Sequence, residues 1–346
     1  MRHRKQNKIL LKKTKVVNKT RPAKVRSRRG LGSSLIPSLK VHEEQKICIY
    51  RGLGGIGDIL MITPTLMEIK RRFPKALLTF AVDRHSTSND VYWNLVKNAP
   101  FIDRVVAARS ASRSKYDLYY DISSVCIPYE RKDLPPRNRI DIFANYLGFH
   151  LLGTKLPFYK VEAKEKRWAQ QVLEAHKPES TSPVIILHTA SNDAKRSWDV
   201  SNQKKLVKII HREFPNALLV VSDYNKYLRE GKWNHLSDGA VLDVSSLGIR
   251  EVAAIIGECD VFVGPDSGLM HIAGALEKRS VVLFGSVPPE ARINYYPTHK
   301  GLTLADLKCL GCWYTNCPYD LKCMKDLSAD IVFKQVAAII RGRGIE

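Results

Sequence analysis

"RGLGGIGDIL", residues 51–60, carries Gly52-x-Gly54-x-x-Gly57 after a short apolar run, "KICIY" (46–50), and ahead of "DILMITPTLMEIKRRF", whose apolar residues recur at helical spacing. A strand, a glycine-rich turn and a helix in that order open a βαβ unit, and "PKALLTFAV" supplies its second strand. The glycine spacing is that of a dinucleotide-binding turn, where helix N–H groups and the positive end of the helix dipole meet a pyrophosphate. Here the residue entering the helix is Asp58, and a carboxylate at that point would repel a diphosphate. Asp58 can cap its own helix or be presented to a reactant. Asp83, after the second strand, stands near where a ribose-binding acid would lie, so this stretch alone keeps a dinucleotide-dependent oxidoreductase open.

The second half of the chain opens in a similar way. "PVIILHTA" (183–190) reads as a buried strand, "SNQKKLVKIIHREF" as an amphipathic helix and "PNALLVVS" as the next strand. "KRRFPKALLTF" (70–80) and "HREFPNALLVV" (211–221) echo each other, with Phe-Pro ending a helix and Ala-Leu-Leu entering a strand. The repetition predicts two doubly wound α/β domains. Pro and Ser concentrate near 178–183, which sets the expected division: a basic tail over 1–44, a first Rossmann-like domain over 45–178 and a second over 179–346.

At 346 residues the chain exceeds the size at which one core usually stops growing, and 44% hydrophobic residues suffice for two. The net charge of +22 is unevenly spread. Residues 1–40 hold 14 of the 56 Lys and Arg and no Asp or Glu, which leaves 42 basic against 34 acidic residues, or +8, on the remainder. A segment so charged and so poor in apolar residues cannot offset its ordering entropy by burial, and is expected to be disordered in isolation. Its expected partner is anionic: RNA, DNA, or the phosphate-rich face of a membrane or glycolipid. A nucleic-acid-binding protein on an enzyme-like scaffold is therefore a further reading. No apolar stretch reaches the ~20 residues needed to span a bilayer, and "ILL" (9–11) is too short for a signal-peptide core, so the expected location is the cytoplasm.

Two more constellations carry chemistry. "GPDSGLMHIAGA" places Asp266, Ser267, Gly268 and His271 where a strand ends and a helix begins, the usual ligand edge of an open α/β sheet. Asp266 and Ser267 suit a helix cap and Gly268 admits close backbone approach. His271 lies one turn on, so N–H groups, a hydroxyl and an imidazole could together hold a diphosphate, or simply form a well-capped helix with a core histidine. "HTASNDAKRSW" puts Lys195 and Arg196 after a strand end, where their charges could neutralise a leaving phosphate.

Of seven cysteines, Cys48, Cys126 and Cys259 lie in apolar runs and read as packed thiols. The others, Cys309, Cys312, Cys317 and Cys323, follow C-x2-C-x4-C-x5-C spacing. Four thiolates so close could make a structural tetrahedral zinc or iron site, with free thiols or disulfides as the alternatives.

"GGIGDILMITPTLMEIKRRFP" and "VGPDSGLMHIAGALEKRSVVLFGSVPPEA" together resemble the lipopolysaccharide heptosyltransferase family, glycosyltransferase family 9, over about residues 46–340. That family has a Gly-Asp-Ile/Val turn before a helix ending in Phe-Pro, and an Asp-Ser/Thr-Gly-x-x-His segment before a strand and a Phe-Gly-x-x-x-Pro turn. The resemblance implies a GT-B fold, two facing Rossmann-like domains with the active site between them. It also implies inverting transfer of a sugar from a nucleotide-diphosphate donor, ADP-heptose first among them, to a glycan or glycolipid acceptor, with no catalytic metal. Matched by motif, Asp58 is the general base on the turn of Gly54, Gly55 and Gly57. Ser267, Gly268 and His271 form the donor-phosphate site, which Asp266 starts. Lys195 is the phosphate-neutralising lysine, with Arg196 the alternate because this chain reads "KRSWD" where the family has Lys-x-Trp-Pro. Asp223 stands nearest to the acid expected to hold the nucleotide ribose.

Overall fold

The computed structural model describes residues 44–82, 91–151, 153–223, 232–304, 306–313 and 316–342. Residues 1–43 of the basic tail, and Asp83, lie outside them.

Ten strands form two all-parallel sheets among the described residues. The first holds β1 (Lys46–Arg51), β2 (Leu77–Val82), β3 (Arg104–Ala107) and β4 (Leu118–Asp121) in the order β3-β2-β1-β4. The second holds β5 (Val184–His188), β6 (Leu218–Ser222), β7 (Val241–Asp243), β8 (Val261–Pro265), β9 (Ser280–Leu283) and β10 (His299–Leu302), in the order β10-β9-β8-β5-β6-β7. Each order reverses direction once, between β1 and β4 and between β5 and β8. Such switch points open a crevice at the carboxyl ends of the strands. The central strands are apolar on both faces, as parallel strands covered by helices must be: all five residues of β5, β6 and β8 are buried.

The helices of the first lobe are α1 (Ile56–Met61), α2 (Thr63–Arg72), α3 (Val91–Val96) and α4 (Arg139–Tyr146). They are followed by α5 (Ala163–His176), α6 (Val200–Glu213), α7 (Ile249–Glu258), α8 (Gly268–Ala275), α9 (Glu290–Ile293), α10 (Lys322–Lys325) and α11 (Ala329–Ile340). The Phe-Pro echo is one device used twice. Phe73 and Phe214 close α2 and α6 with matching backbone angles (φ −127°, ψ 69° and φ −135°, ψ 74°). Each carbonyl then accepts from an alanine, Ala76 at 3.1 Å and Ala217 at 3.0 Å, that leads into the next strand.

One expected element differs. The helix after the first glycine turn is two helices, α1 and α2, not one. Pro64 has no N–H to give to the preceding turn, and the Thr63 hydroxyl donates to the Leu60 carbonyl at 2.6 Å while accepting from Phe158 N–H at 2.8 Å.

A single apolar cluster runs from Ile47 and Phe80 of the first sheet, through α1, α7 and α8, to Phe262 and Val282 of the second. Where α1 meets α8, each helix offers a glycine. A Cβ on Gly57 would stand 2.4 Å from the His271 ring, and one on Gly268 would stand 2.6 Å from Ile56 Cβ. Only hydrogen at those positions allows the approach. Elsewhere Arg250 of α7 ties the layers, donating to Glu165 of α5 at 2.7 Å and to the carbonyls of Asn94 and Lys160 at 2.9 Å each.

Candidate active site

The two glycine-bearing turns sit at the carboxyl ends of β1 and β8 and meet where α1 crosses α8. In the first turn Gly54 has φ +121°, and a Cβ there would lie 2.6 Å from Asp58 Oδ2 and 2.7 Å from an Arg51 nitrogen, so glycine is required on both counts. Asp58 folds back on its own helix start, where its Oδ2 accepts from Gly55 N–H at 2.8 Å. Its Oδ1 pairs with Arg51 at 3.1 Å and with Arg139 of α4. The carboxylate thus both caps its turn and is presented to its surroundings. Burial pushes its pKa up, but the guanidiniums of Arg139 and Arg51 and the Gly55 N–H outweigh that and hold it at about 2. The turn read as a pyrophosphate cradle therefore already holds an anion of its own.

The second turn is wired differently. Ser267 is the N-cap of α8, accepting from Met270 N–H. Asp266 is turned away from the helix: its Oδ2 accepts from Arg196 at 3.1 Å and lies 3.6 Å from Arg292 Nε. Burial raises this carboxyl, and Arg292 and Arg196 lower it by more. His271 is buried against Gly57, with Nδ1 2.6 Å from the Tyr296 hydroxyl, and burial pulls its pKa down to about 3. It is a neutral imidazole at neutral pH, so the positive charge at this junction comes from other residues.

Those residues are arginines, of which the sequence motifs contain only Arg51 and Arg196. Glu130, after the short 3-10 turn Ile127–Tyr129, accepts on one oxygen from Arg139 Nε at 2.6 Å and from Arg292 at 3.2 Å. A ladder of alternating charges results: Arg51, Asp58, Arg139, Glu130, Arg292, Asp266, Arg196. Arg51 is the last residue of β1, and its ring-stacking partner is Phe143 of α4 at 5.2 Å. Arg139 starts α4, whose cap Asn138 accepts from Ile140 N–H at 3.0 Å. These groups come from separate loops and helix starts, so no spacing pattern joins them. Asn-Arg before an apolar helical run was the only local hint.

Lys195 and Arg196 differ in their partners. Arg196 is bound to Asp266, whereas Lys195 pairs with Asp193 at 3.3 Å and lines a cavity beside Ser286. Asp223 is buried at the end of β6, its two oxygens accepting from Thr189 at 2.9 Å and Trp233 at 3.4 Å.

Cys309, Cys312, Cys317 and Cys323 line the cavity that Lys195 borders. Burial, with the three neighbouring thiols adding to it, pushes the Cys323 thiol up to about 11. Among the described residues no three His, Cys, Asp or Glu are gathered closely enough to ligate one ion. The cysteine loop packs on the turn after β9: Gly311 and Trp313 N–H groups donate to the carbonyls of Gly285 at 2.9 Å and Ser286 at 3.0 Å. Trp313 in turn lies under the Arg292 guanidinium at 5.2 Å. A separate polar cavity of about 350 Å³ opens between the lobes, lined by Tyr129, Arg137, Asn138, Asp141, Asn145 and Asn294.

Two doubly wound lobes that meet where α1 crosses α8, at the carboxyl ends of β1 and β8, have GT-B architecture. A family model for glycosyltransferase family 9 (heptosyltransferase) matches residues 105–322. Lipooligosaccharide heptosyltransferase 2 of Campylobacter jejuni subsp. jejuni is 32% identical over 325 residues, covering 81% of this chain and 95% of that protein. The chain belongs to glycosyltransferase family 9. Solved structures agree in fold. A family 9 glycosyltransferase from Veillonella parvula superposes with a TM-score of 0.68 at 14% identity, over 87% of this chain and 98% of that one. The E. coli ADP-heptose lipopolysaccharide heptosyltransferase II does so with a TM-score of 0.58 at 15% identity, over 86% and 99%. No helix among the described residues is long and apolar enough to cross a membrane.

Proposed function

We propose that the protein is an inverting heptosyltransferase that moves heptose from ADP-heptose to a lipooligosaccharide or lipopolysaccharide core. The observation that carries this reading is the convergence of the Asp58 carboxylate and the α8 helix start on one arginine-rich junction. Asp58 takes the proton of the acceptor hydroxyl as its oxygen attacks the anomeric carbon. The bond from that carbon to the diphosphate breaks on the opposite face, and the electron pair leaves with the diphosphate, giving inversion. Ser267 and Gly268 at the start of α8, with His271 behind them, would receive the diphosphate. Lys195 supplies a further cation, and the buried arginines take the place of a metal in stabilising developing charge. A base held at about 2 is weak. A diphosphate entering the junction competes for the guanidiniums that depress it and so strengthens the base. The polar cavity beside α4 suits the hydroxyls of the acceptor.

The four-cysteine loop is assigned a structural tetrathiolate metal, zinc or iron, that would brace Trp313 and the turn bearing Ser286. The donor set is right for either ion, but the thiols would have to draw together around it. Metal content of the purified protein, before and after Cys317→Ser, tests this. The basic tail is assigned to an anionic surface, with the enzyme working in the cytoplasm at the inner-membrane face. Removal of residues 1–40 should abolish co-sedimentation with anionic vesicles and leave transfer to a soluble acceptor intact.

The decisive assay mixes ADP-, GDP- and UDP-linked sugars with a deacylated lipooligosaccharide core and reads the anomeric configuration of the product by NMR. Transfer from ADP-heptose with inversion is expected. Retention of configuration, or reaction only with NADH or NADPH, would replace this reading.

A further inference from the structure

We propose that Glu130 is a positioning residue for transfer, joining the guanidinium beside Asp58 to the guanidinium beside Asp266 so that base alignment and lobe approach become one event. The inference rests on the reading of Asp58 as the base.

Within the charge ladder the other two acids have partners in one lobe only: Asp58 pairs with Arg51 and Arg139, Asp266 with Arg196 and Arg292. Glu130 alone of the three reaches both. Its Oε1 accepts from Arg139 Nε at 2.6 Å and from Arg292 of α9 at 3.2 Å. Both guanidiniums are largely removed from water, with side-chain exposures of 19% and 5%, so screening by solvent is weak and the anion between them governs where they sit. Arg139 forks between Asp58 and Glu130, and Arg292 between Glu130 and Asp266. Without the Glu130 charge the two guanidiniums repel, Arg139 leans wholly on Asp58, and Arg292 on Asp266. The base would then be pinned by a cation that should be free to yield. Trp313, stacked on Arg292, and Asn138, whose side chain donates to the Glu290 carbonyl at 3.3 Å, keep the α9 end of this bridge in place.

The test uses the full chain and its E130Q, E130D, R292Q and E130Q/R292Q variants, with ADP-heptose and a deacylated lipooligosaccharide core as substrates. E130Q should lower kcat on the order of tenfold while the donor KM moves by less than about threefold, because an alignment defect acts in the transition state. E130D, which keeps the charge on a shorter arm, should recover part of the loss. R292Q added to E130Q should cost little more, since the two act as a unit. A wild-type kcat in E130Q, or losses that multiply in the double variant, would overturn the role. If E130Q unfolds, as a thermal melt would report, E130D and R292Q carry the same comparison. Failure of the wild type to transfer heptose removes the base assignment and this inference with it; normal wild-type transfer with an unaffected E130Q removes this inference alone.

Discussion

Both lobes place an aspartate where a strand gives way to a helix, yet the two are wired in opposite senses. Asp58 lies inside α1 and closes that helix start with its own carboxylate, on the Gly55 N–H. Asp266 precedes the cap of α8 and faces Arg196 and Arg292, leaving the start of α8 with Ser267 alone as its side-chain cap. The difference suits the two turns to complementary tasks. A helix start filled by its own anion repels a second one, whereas a helix start kept clear of its neighbouring carboxylate can receive it.

The comparison breaks most visibly at Asp58. Asp58→Asn should lower kcat by roughly two to four orders of magnitude, the usual contribution of a general base, with donor affinity held within about threefold in calorimetry. A loss of donor binding instead would place the donor on the first turn. Gly268→Ala tests the approach of the two helix starts. Its Cβ would stand 2.6 Å from Ile56 Cβ, and such overpacking costs about 1–3 kcal/mol, seen as a lower Tm and a transfer rate down on the order of tenfold. Ile56→Gly in the same chain, which removes the opposing Cβ, should recover part of the lost rate.

Lys195 and Arg196 sharpen the second turn. Lys195→Ala should weaken donor binding on the order of tenfold with little change in Tm, as expected for one charge-assisted contact. Arg196→Ala should lower Tm as well, because it strips a partner from a buried carboxylate. Equal effects of the two on Tm would return them to one class.

A further effect is in pH. The pKa of His271 is depressed to about 3, and those of His188 and His299 to about 4, against an ordinary 6.5, and burial is the main cause in each. The unfolded chain therefore binds protons that the folded one refuses. Their contribution is complete above pH 6.5 and is lost as pH falls towards 4 and below. The urea midpoint should drop steadily from pH 6.5 to 4.5, and a flat profile would mean these rings are protonated in the fold.

Much of the fold was legible because helix termination is local. Phe-Pro before Ala-Leu-Leu ends α2 and α6 in the same way, and that repetition pointed to two lobes. The break between α1 and α2 is legible only in Pro64, since its other half is Thr63 meeting Phe158, a contact far along the chain. Asp58, Asp266 and Ser267 were legible as residues at strand-to-helix junctions. Arg51, Glu130, Arg139 and Arg292 were not, since a charge ladder assembled from distant loops leaves no period or spacing. Which of Lys195 and Arg196 faces Asp266 likewise had no local signal.

The most direct measurement is a crystal structure of the Asp58→Asn protein with ADP-heptose bound. The account predicts the diphosphate against Ser267, Gly268 and Lys195, with the anomeric carbon facing position 58 from the other lobe. A diphosphate seated on the 52–57 turn, or a sugar directed away from position 58, would contradict it.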